Sequence, residues 1–145
     1  MSIIFSRQCE YALQAVLYLA SKPAEAVTSI TELAGKVEVP SPFLAKILQN
    51  LTHQRLLVSS KGRFGGFKLA KPSLEITLFQ IVEAIDGSEF MQACVLGFPS
   101  CSDKNACAIH AKWSELREGI HDMLKCRNIA EMAKEMKRTK YRGVI

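Results

Sequence analysis

The sequence predicts a mainly α-helical fold that contains one small β-hairpin. Several stretches of the 145-residue chain place apolar residues at the three- and four-residue spacing of an amphipathic helix. Residues 56–69 instead carry two short apolar runs on either side of a glycine-rich turn, which is typical of a hairpin. The segment 94–110 fits neither pattern. With 48% hydrophobic residues, the chain can bury the core of about one domain.

The composition predicts a cytoplasmic protein with free cysteines. No run reaches the about 18 apolar residues of a membrane helix, and the first residues lack the features of a signal peptide. Because cytoplasmic thiols stay reduced, five cysteines favour metal or redox chemistry over a disulfide framework. The net charge of +5 lies towards the two ends of the chain, which suits a polyanion but is also ordinary solubilising charge.

The first two predicted helices are short and amphipathic. Residues 8–21 place apolar side chains along one face of a helix that ends before Pro23. A second helix begins at Ser29, whose hydroxyl can cap the first turn while Glu32 reaches back to complete a capping box. Its expected buried residues are Ile30, Leu33, Ala34 and Val37.

The third predicted helix carries side chains that can read DNA. Ser41 is its expected N-cap and Pro42 its first helical residue. Its apolar stripe consists of Leu44, Ile47, Leu48 and Leu51. The opposite face carries Ser41, Phe43, Lys46, Gln49, Asn50 and His53. Two short helices joined by a turn match a helix-turn-helix, whose second helix bonds bases in the major groove. Alternatively, this face only meets water.

A glycine-rich hairpin is predicted directly after the third helix. Residues 56–58 and 67–69 form its strands, and the turn between them holds the cations Lys61 and Arg63. Glycines let the backbone of this turn approach DNA closely, and the cations suit phosphate or minor-groove contacts. A hairpin in this position is typical of a wing. The alternative is a mobile turn without a partner.

The remaining chain is predicted to be helical on both sides of the loop 94–110. Thr77 and Gln80 form a capping box for a helix that packs back on the preceding elements. After the loop, apolar residues advance by four, three, four and three, as in a helix that packs along another helix: Ile109, Trp113, Leu116, Ile120 and Met123. This seam favours a homodimer; burial against the same chain is the alternative. A last helix, capped by Asn128, precedes a basic tail at 137–142 that is expected to fray.

These elements divide the chain into two predicted parts. Residues 1–77 form a winged helix-turn-helix DNA-binding domain, and residues 78–145 form a helical dimerisation region that includes the cysteine loop 94–110. The fold class is therefore mainly α with a small β-hairpin wing and a long dimerisation helix. A helix-turn-helix dimer usually reads two half-sites about 34 Å apart, so the expected partner is double-stranded DNA with a palindromic operator.

The loop 94–110 contains candidate metal ligands. Cys94, Cys101, Cys107 and His110 lie among residues of irregular backbone. Thiolate and imidazole suit either zinc or an iron–sulfur cluster. Zinc sites usually draw their ligands from tight turns, so the long loop favours a bulkier cluster, with zinc and no metal as alternatives. Cys9 and Cys126 are expected to be buried packing residues.

The order of these parts resembles the Rrf2 family of bacterial transcription regulators over nearly the whole chain. The most specific elements are the three cysteines, His110 followed by Ala111-Lys112-Trp113, and the wing 62–66. The resemblance implies a homodimer with a 2Fe–2S or 4Fe–4S cluster whose state tunes DNA binding. IscR-like members take the fourth ligand from a histidine placed as His110 is; NsrR-like members use a carboxylate of the partner subunit, at the position of Glu10. The spacing between the first two cysteines is one residue longer than is commonest, which leaves the ligand set open.

The combined prediction is a cytoplasmic, homodimeric repressor whose operator binding is controlled by an iron–sulfur cluster that senses redox state, iron or nitric oxide. The alternative is a zinc-binding or cluster-free winged-helix regulator that responds through cysteine oxidation or a protein partner. An enzyme is not expected, because the chain lacks a C-x-x-C pair and a nucleotide-binding glycine pattern. Neither a membrane nor a small-molecule substrate is an expected partner. A winged module that does not bind DNA is a third alternative.

Overall fold

The computed structural model describes residues 4–138 of the chain. Its helices are α1 (Arg7–Ala20), α2 (Ile30–Val37), α3 (Ser41–His53), α4 (Leu78–Asp86), α5 (His110–Lys125) and α6 (Ile129–Arg138), and its strands are β1 (Leu57–Ser60) and β2 (Gly66–Leu69). Short 3-10 turns occupy Ser73–Glu75 and Glu89–Met91. The order confirms the predicted fold class, a mainly helical chain with one hairpin directly after the third helix.

Helix α1 forms the centre of the core. Its buried side chains include Ala12, Ala15, Val16 and Leu19, which recur every three or four residues. The helix contacts α2, α3, α4, α6 and β2. The predicted stripe of α3 is buried against it, and Leu33, Ile81 and Ile129 join the same cluster from α2, α4 and α6.

The helix-turn-helix differs from the prediction at both of its caps. Ser29 accepts a hydrogen bond from the Glu32 amide at 3.2 Å, as expected. The predicted return bond from the Glu32 side chain to the start of the helix was wrong. The Glu32 carboxylate instead accepts from the Tyr18 hydroxyl and pairs with Lys22. Ser41 is the first helical residue rather than the N-cap: the Leu44 amide already donates to the Pro40 carbonyl at 3.1 Å, so the helix starts one residue earlier.

The wing is an antiparallel hairpin that is tied to the start of α2. Leu57 faces Leu69 and Ser60 faces Gly66, so both strands are longer than predicted. Thr28, which is buried, exchanges two backbone hydrogen bonds with Phe67, at 2.9 and 2.8 Å. The wing and the helix-turn-helix are therefore joined by backbone bonds as well as by apolar packing.

Helices α4 and α6 return the chain to α1. The capping box of α4 is confirmed, with Thr77 and Gln80 bonded in both directions. The Ile129 amide donates to the Ile76 carbonyl at 2.9 Å, and the Asn128 side chain caps α6 at the Glu131 amide, as predicted. Of the predicted frayed tail, residues 137 and 138 belong to α6, and residues 139–142 lie outside the described residues.

Helix α5 touches its own chain along one side only. Leu124 is its single fully buried residue, and Trp113 and Ile120 of the predicted seam are half-buried. The other seam residues, seven positions apart, remain exposed: Ile109 (42%), Leu116 (52%) and Met123 (50%). Residues seven apart lie on the same side of a helix, so α5 presents a continuous apolar edge that residues 4–138 leave uncovered.

The two cysteines outside the loop have different surroundings. Cys9 is fully buried, as predicted, and burial, aided by the nearby Asp86 carboxylate, raises the pKa of its thiol to about 12. Cys126 was expected to be buried but is exposed, because it caps the C-terminus of α5 where the chain turns towards α6. Within residues 4–138, no helix is long and apolar enough to cross a membrane.

The close approach of the wing to residue 28 predicts a strict glycine requirement. A Cβ at Gly66 would lie 2.1 Å from the Thr28 carbonyl oxygen. This backbone atom cannot move without breaking its hydrogen bond with the Phe67 amide. We expect Gly66→Ala to lower the free energy of unfolding by about 1–3 kcal/mol, measured by urea denaturation. Gly35→Ala is the matched control, since a Cβ there meets open space inside α2 and should add up to about 1 kcal/mol. Equal effects of the two substitutions would contradict the role of the contact.

Candidate functional site

The cysteine loop connects α4 to α5 through a series of tight turns. The Gly97 amide donates to the Cys94 carbonyl at 2.9 Å, and Gly97 has a φ of +80°, which suits glycine. The Asn105 side chain donates to Ser100, and Ser102 and Asn105 exchange two backbone bonds. These short-range bonds fold the loop back on itself, which is why widely spaced cysteines can meet.

Three cysteine sulfurs converge in this loop. The Sγ atoms of Cys94, Cys101 and Cys107 all lie within 4.8 Å of one another, and those of Cys94 and Cys107 are 3.8 Å apart. In the described part of the chain, this is the one group of three or more His, Cys, Asp or Glu side chains close enough to share a metal ion. A cavity of about 260 Å³ borders Cys101 and Cys107. Three of the four predicted ligands are thus brought together.

His110 lies at the edge of the sulfur group, at the first residue of α5. Its Nδ1 is 3.2 Å from the Cys101 Sγ, and its Nε2 is 2.9 Å from a carboxylate oxygen of Asp103. The imidazole is half-buried and held from both sides. A carboxylate that accepts from Nε2–H leaves Nδ1 as the nitrogen free to bind a metal, so Asp103 orients the ring towards the thiols. Sequence reasoning missed Asp103, although carboxylate partners of ligand histidines are common.

The alternative fourth ligand, Glu10, lies elsewhere. It is half-exposed in the first turn of α1, next to the buried Cys9. Within one chain, Glu10 does not belong to the group formed by the three cysteines. In a single chain the His110 Nδ1 contacts one of the sulfurs, that of Cys101 at 3.2 Å, but neither His110 nor Glu10 belongs to the three-sulfur group.

The surroundings of Cys94 and Cys101 shift the pKa values of the two thiols in opposite directions. Burial raises the pKa of Cys94, but hydrogen bonds from the Phe98 and Leu96 amides and from neighbouring thiols outweigh it and lower the pKa to about 7. At Cys101 the Cys107 amide lowers the pKa, whereas burial and the adjacent thiols raise it above its ordinary value. Because metals bind the thiolate, the lowered pKa of Cys94 favours a metal bond at that sulfur.

Helix α5 holds the beginning of the cysteine loop. The Trp113 indole N–H donates to the Ala93 carbonyl at 2.9 Å, and the Arg117 guanidinium donates to the same oxygen at 3.1 Å. Ala93 directly precedes Cys94. Two side chains of α5, one of which belongs to the predicted seam, are therefore hydrogen-bonded to the residue before the first cysteine.

The outward face of α3 carries the predicted DNA-reading residues. Lys46, Gln49, Asn50 and His53 are exposed, and Ser41 is half-buried at the start of the helix. Phe43 is 41% exposed and packs edge-to-face on Tyr11 of α1, with ring centroids 5.9 Å apart. The polar residues are thus available to a ligand, while Phe43 also helps to fix α3 against α1.

The tip of the wing carries both predicted cations and one aromatic residue. Lys61 and Arg63 are exposed, and the Arg63 guanidinium lies 5.7 Å from the centre of the Phe64 ring. Phe64 itself is 88% exposed. Sequence reasoning did not select it, although an aromatic residue between a cation and two glycines is unusual in a turn.

Comparison with known proteins gives a consistent result. The sequence model of the Rrf2 family, described as an iron-dependent transcriptional regulator, matches residues 5–135. The chain is 36% identical over 132 residues to a protein of Aquifex aeolicus named as an HTH-type transcriptional regulator, covering 90% of this chain and 91% of that protein. It is 27% identical over 114 residues to the HTH-type transcriptional regulator IscR of Pectobacterium atrosepticum, covering 79% and 69% of the two chains.

A solved structure matches the fold as well. CymR (YrzC), described as the global cysteine regulator of B. subtilis, superposes with a TM-score of 0.76 over 92% of this chain and 98% of its own. The sequence identity is 20%, so this likeness concerns the fold alone. It supports the assignment of the hairpin as a wing and of α3 as the second helix of a helix-turn-helix.

Proposed function

The chain belongs to the Rrf2 family of DNA-binding transcriptional regulators, and from that premise we propose that it is a homodimeric repressor controlled by an iron–sulfur cluster. The observation that carries the proposal is the convergence of the Cys94, Cys101 and Cys107 sulfurs within 4.8 Å. The cluster would sense redox state, iron or nitric oxide, in a cytoplasmic protein that regulates rather than catalyses. Its type, 2Fe–2S or 4Fe–4S, is open.

The residues of the loop fit such a group. Thiolates are the preferred protein ligands of iron–sulfur clusters. Cys94, Cys101 and Cys107 would bind it, and His110 through Nδ1 would complete the set, oriented by Asp103. In a dimer, Glu10 of the partner subunit is the alternative fourth ligand. When bound, the cluster would supply reversible electron transfer at its irons.

The position of the loop supports a regulatory role. The residue before it, Ala93, accepts hydrogen bonds from two side chains of α5, and its last residue, His110, is the first residue of α5. Binding all three cysteines to a common centre fixes both ends of the loop relative to that helix. Each tenfold change in DNA affinity requires the two loop arrangements to differ by about 1.4 kcal/mol in their preference for the DNA-bound state.

The DNA-binding part of the proposal assigns roles to the exposed residues of α3 and the wing. Gln49 and Asn50 can bond bidentately to adenine in the major groove, and Lys46 can reach guanine or a phosphate. Ser41, Phe43 and His53 would lie along the same groove. Lys61 and Arg63 would contact phosphates or enter the minor groove. The division into residues 1–77 for DNA binding and 78–145 for dimerisation is part of this proposal.

The exposed edge of α5 supports the homodimer. Ile109, Leu116 and Met123 form an apolar row at heptad spacing that nothing in the described chain covers. Pairing of two such edges would place the two copies of α3 for a palindromic operator. The exposed apolar edge of α5 thus supports a twofold partner in addition to family membership.

A zinc site is the second candidate, and one sulfur–sulfur distance is compatible with it. A tetrahedron with metal–sulfur bonds of about 2.3 Å has edges of about 3.8 Å. The Cys94 and Cys107 sulfurs are 3.8 Å apart, which suits two ligands of one metal ion. The same spacing also suits two cysteines bound to one iron of a 2Fe–2S cluster. The distance therefore indicates that the two sulfurs can share one tetrahedral metal ion, but it does not distinguish zinc from iron. Cysteine oxidation or a protein partner would be the signal in a regulator without a cluster.

Metal content and colour test the cofactor directly. Protein purified and reconstituted without oxygen is expected to be coloured and to contain iron and sulfide. Cys101→Ala should lose the chromophore with an unchanged circular-dichroism spectrum, whereas Cys126→Ala, at an exposed cysteine outside the loop, should retain it. Gel shifts with and without the cluster, against genomic fragments, then show which form binds DNA. A colourless protein with stoichiometric zinc would contradict the cluster and support the zinc alternative.

The wing cations are tested by salt dependence. We expect Arg63→Ala to weaken operator binding and to reduce the slope of log K against log salt concentration by about one, because one fewer phosphate counterion is released. Lys112→Ala removes the same charge from an exposed position on α5 and should leave the slope unchanged. If Arg63→Ala also left the slope unchanged, the wing would not contact phosphate.

The dimer is tested at the exposed edge of α5. Met123→Glu and Leu116→Glu should each raise the dimer dissociation constant at least about tenfold. The reason is that dimerisation would bury the new carboxylate in the seam and remove its hydration. Light scattering coupled to size-exclusion chromatography measures the mass. Ala111→Glu adds the same charge to an exposed position away from the seam and should leave the dimer intact. A wild-type protein that runs as a monomer, or glutamate variants that remain dimers, would rule out this interface.

A further inference from the structure

The wing tip presents an aromatic side chain to solvent. Phe64 is 88% exposed, more than any other exposed large apolar residue in the described part of the chain; the next, Leu74, is 67% exposed. Single apolar residues on a surface are ordinary. An almost fully exposed phenylalanine at the end of a binding element is not, because its ring gains nothing from the fold of this chain.

The hairpin that carries Phe64 is braced rather than loose. The Gly65 amide donates to the Gly62 carbonyl at 3.0 Å and closes the turn. A Cβ at Gly65 would lie 2.2 Å from the Ser60 carbonyl oxygen, so the backbone is packed closely on the side opposite the tip. In the second residue pair from the turn, Phe67 is bonded through its backbone to Thr28. The Phe64 ring is therefore held away from the protein by a supported turn.

The charges around Phe64 indicate the kind of partner. Lys61 and Arg63 are exposed on the same turn, and the Arg63 guanidinium lies 5.7 Å from the Phe64 ring. An apolar wedge flanked by cations suits duplex DNA, whose phosphates attract the cations while the groove floor offers apolar base faces. A purely apolar protein pocket would reject the two adjacent charges.

We infer that Phe64 is a wedge that enters the minor groove at the flank of each half-site and partly unstacks one base step, with Arg63 beside it. This inference rests on the proposed DNA binding of the wing and adds a role that the cations do not have. Insertion of apolar side chains kinks the duplex and is easiest at flexible pyrimidine–purine steps. Phe64 therefore selects TA or CA/TG steps at a position where the protein makes no base hydrogen bond.

Affinity and its salt dependence separate the wedge from the cations. The probe is the tightest-binding duplex that wild-type protein selects from a random-sequence library, tested with cluster-loaded and cluster-free protein. Phe64→Ala is expected to bind this duplex about tenfold more weakly, within the range of a lost base–aromatic contact, with an unchanged salt slope. Leu74→Ala, which removes another exposed apolar side chain far from the turn, should bind as wild type does. Phe64→Trp, which keeps an aromatic face, should retain most of the affinity.

The state of the base step is measured with 2-aminopurine, which brightens when its stacking is broken. Placed in turn at the adenines that flank each half-site, it should brighten on addition of wild-type protein and much less with Phe64→Ala. Replacing the responsive step by GG should weaken wild-type binding and leave the binding of Phe64→Ala unchanged. Wild-type affinity in Phe64→Ala, or a loss of affinity with no fluorescence change at any flanking adenine, would overturn the wedge.

These outcomes are distinct from failure of the proposed function. If the wild-type protein selects no duplex in either form, DNA binding itself fails and the wedge with it. If the wild type selects a duplex and Arg63→Ala reduces the salt slope while Phe64→Ala has no effect, the wing binds DNA and only the wedge is wrong.

Discussion

Burial of one face of α1 is the constraint on which the rest of the structure depends. Ala12 and Ala15 are small enough for neighbouring helices to approach closely, and Val16 and Leu19 fill the remaining space. Full burial of each large aliphatic side chain stabilises the fold by about 1.5–3 kcal/mol. Because α2, α3, α4, α6 and β2 all contact this helix, it sets the positions of the helix-turn-helix, of the wing and of the helix that leads to the cysteine loop.

The helices could be predicted from the sequence because the residues that bury and cap each helix are close together in the chain. Apolar spacing marked each buried face, and Thr77 with Gln80 and Asn128 marked two helix starts. Predictions failed where a distant residue competed for the same group: Glu32 bonds Tyr18 and pairs with Lys22 rather than its own cap. Cys126 was misjudged because spacing alone does not show that a helix ends in solvent. Free energy from tertiary contacts overrides local preference at such positions.

The candidate site was predictable in its residues but not in its geometry. Cysteine identity and spacing selected the candidate ligands, yet their convergence depends on turns closed by Gly97, Ser100 and Asn105. The same turns bring Asp103 to His110, a pairing with no sequence periodicity to reveal it. The loop is also joined to α5 at both ends, so the helix that carries the apolar edge is also the support of the cysteines. One helix thus links the group of three cysteines to the exposed apolar edge formed by Ile109, Leu116 and Met123.

The exposure of Cys126 affects how the protein must be handled in the laboratory. Its thiol lies at the surface, three residues beyond Met123 on the exposed edge of α5, whereas Cys9 is shielded from reagents. Air oxidation of concentrated samples will therefore join molecules through Cys126 as well as damage the loop. A covalent dimer on a non-reducing gel is then an expected product of storage in air. The same thiol offers an attachment point for a spin label or fluorophore that lies outside the cysteine loop.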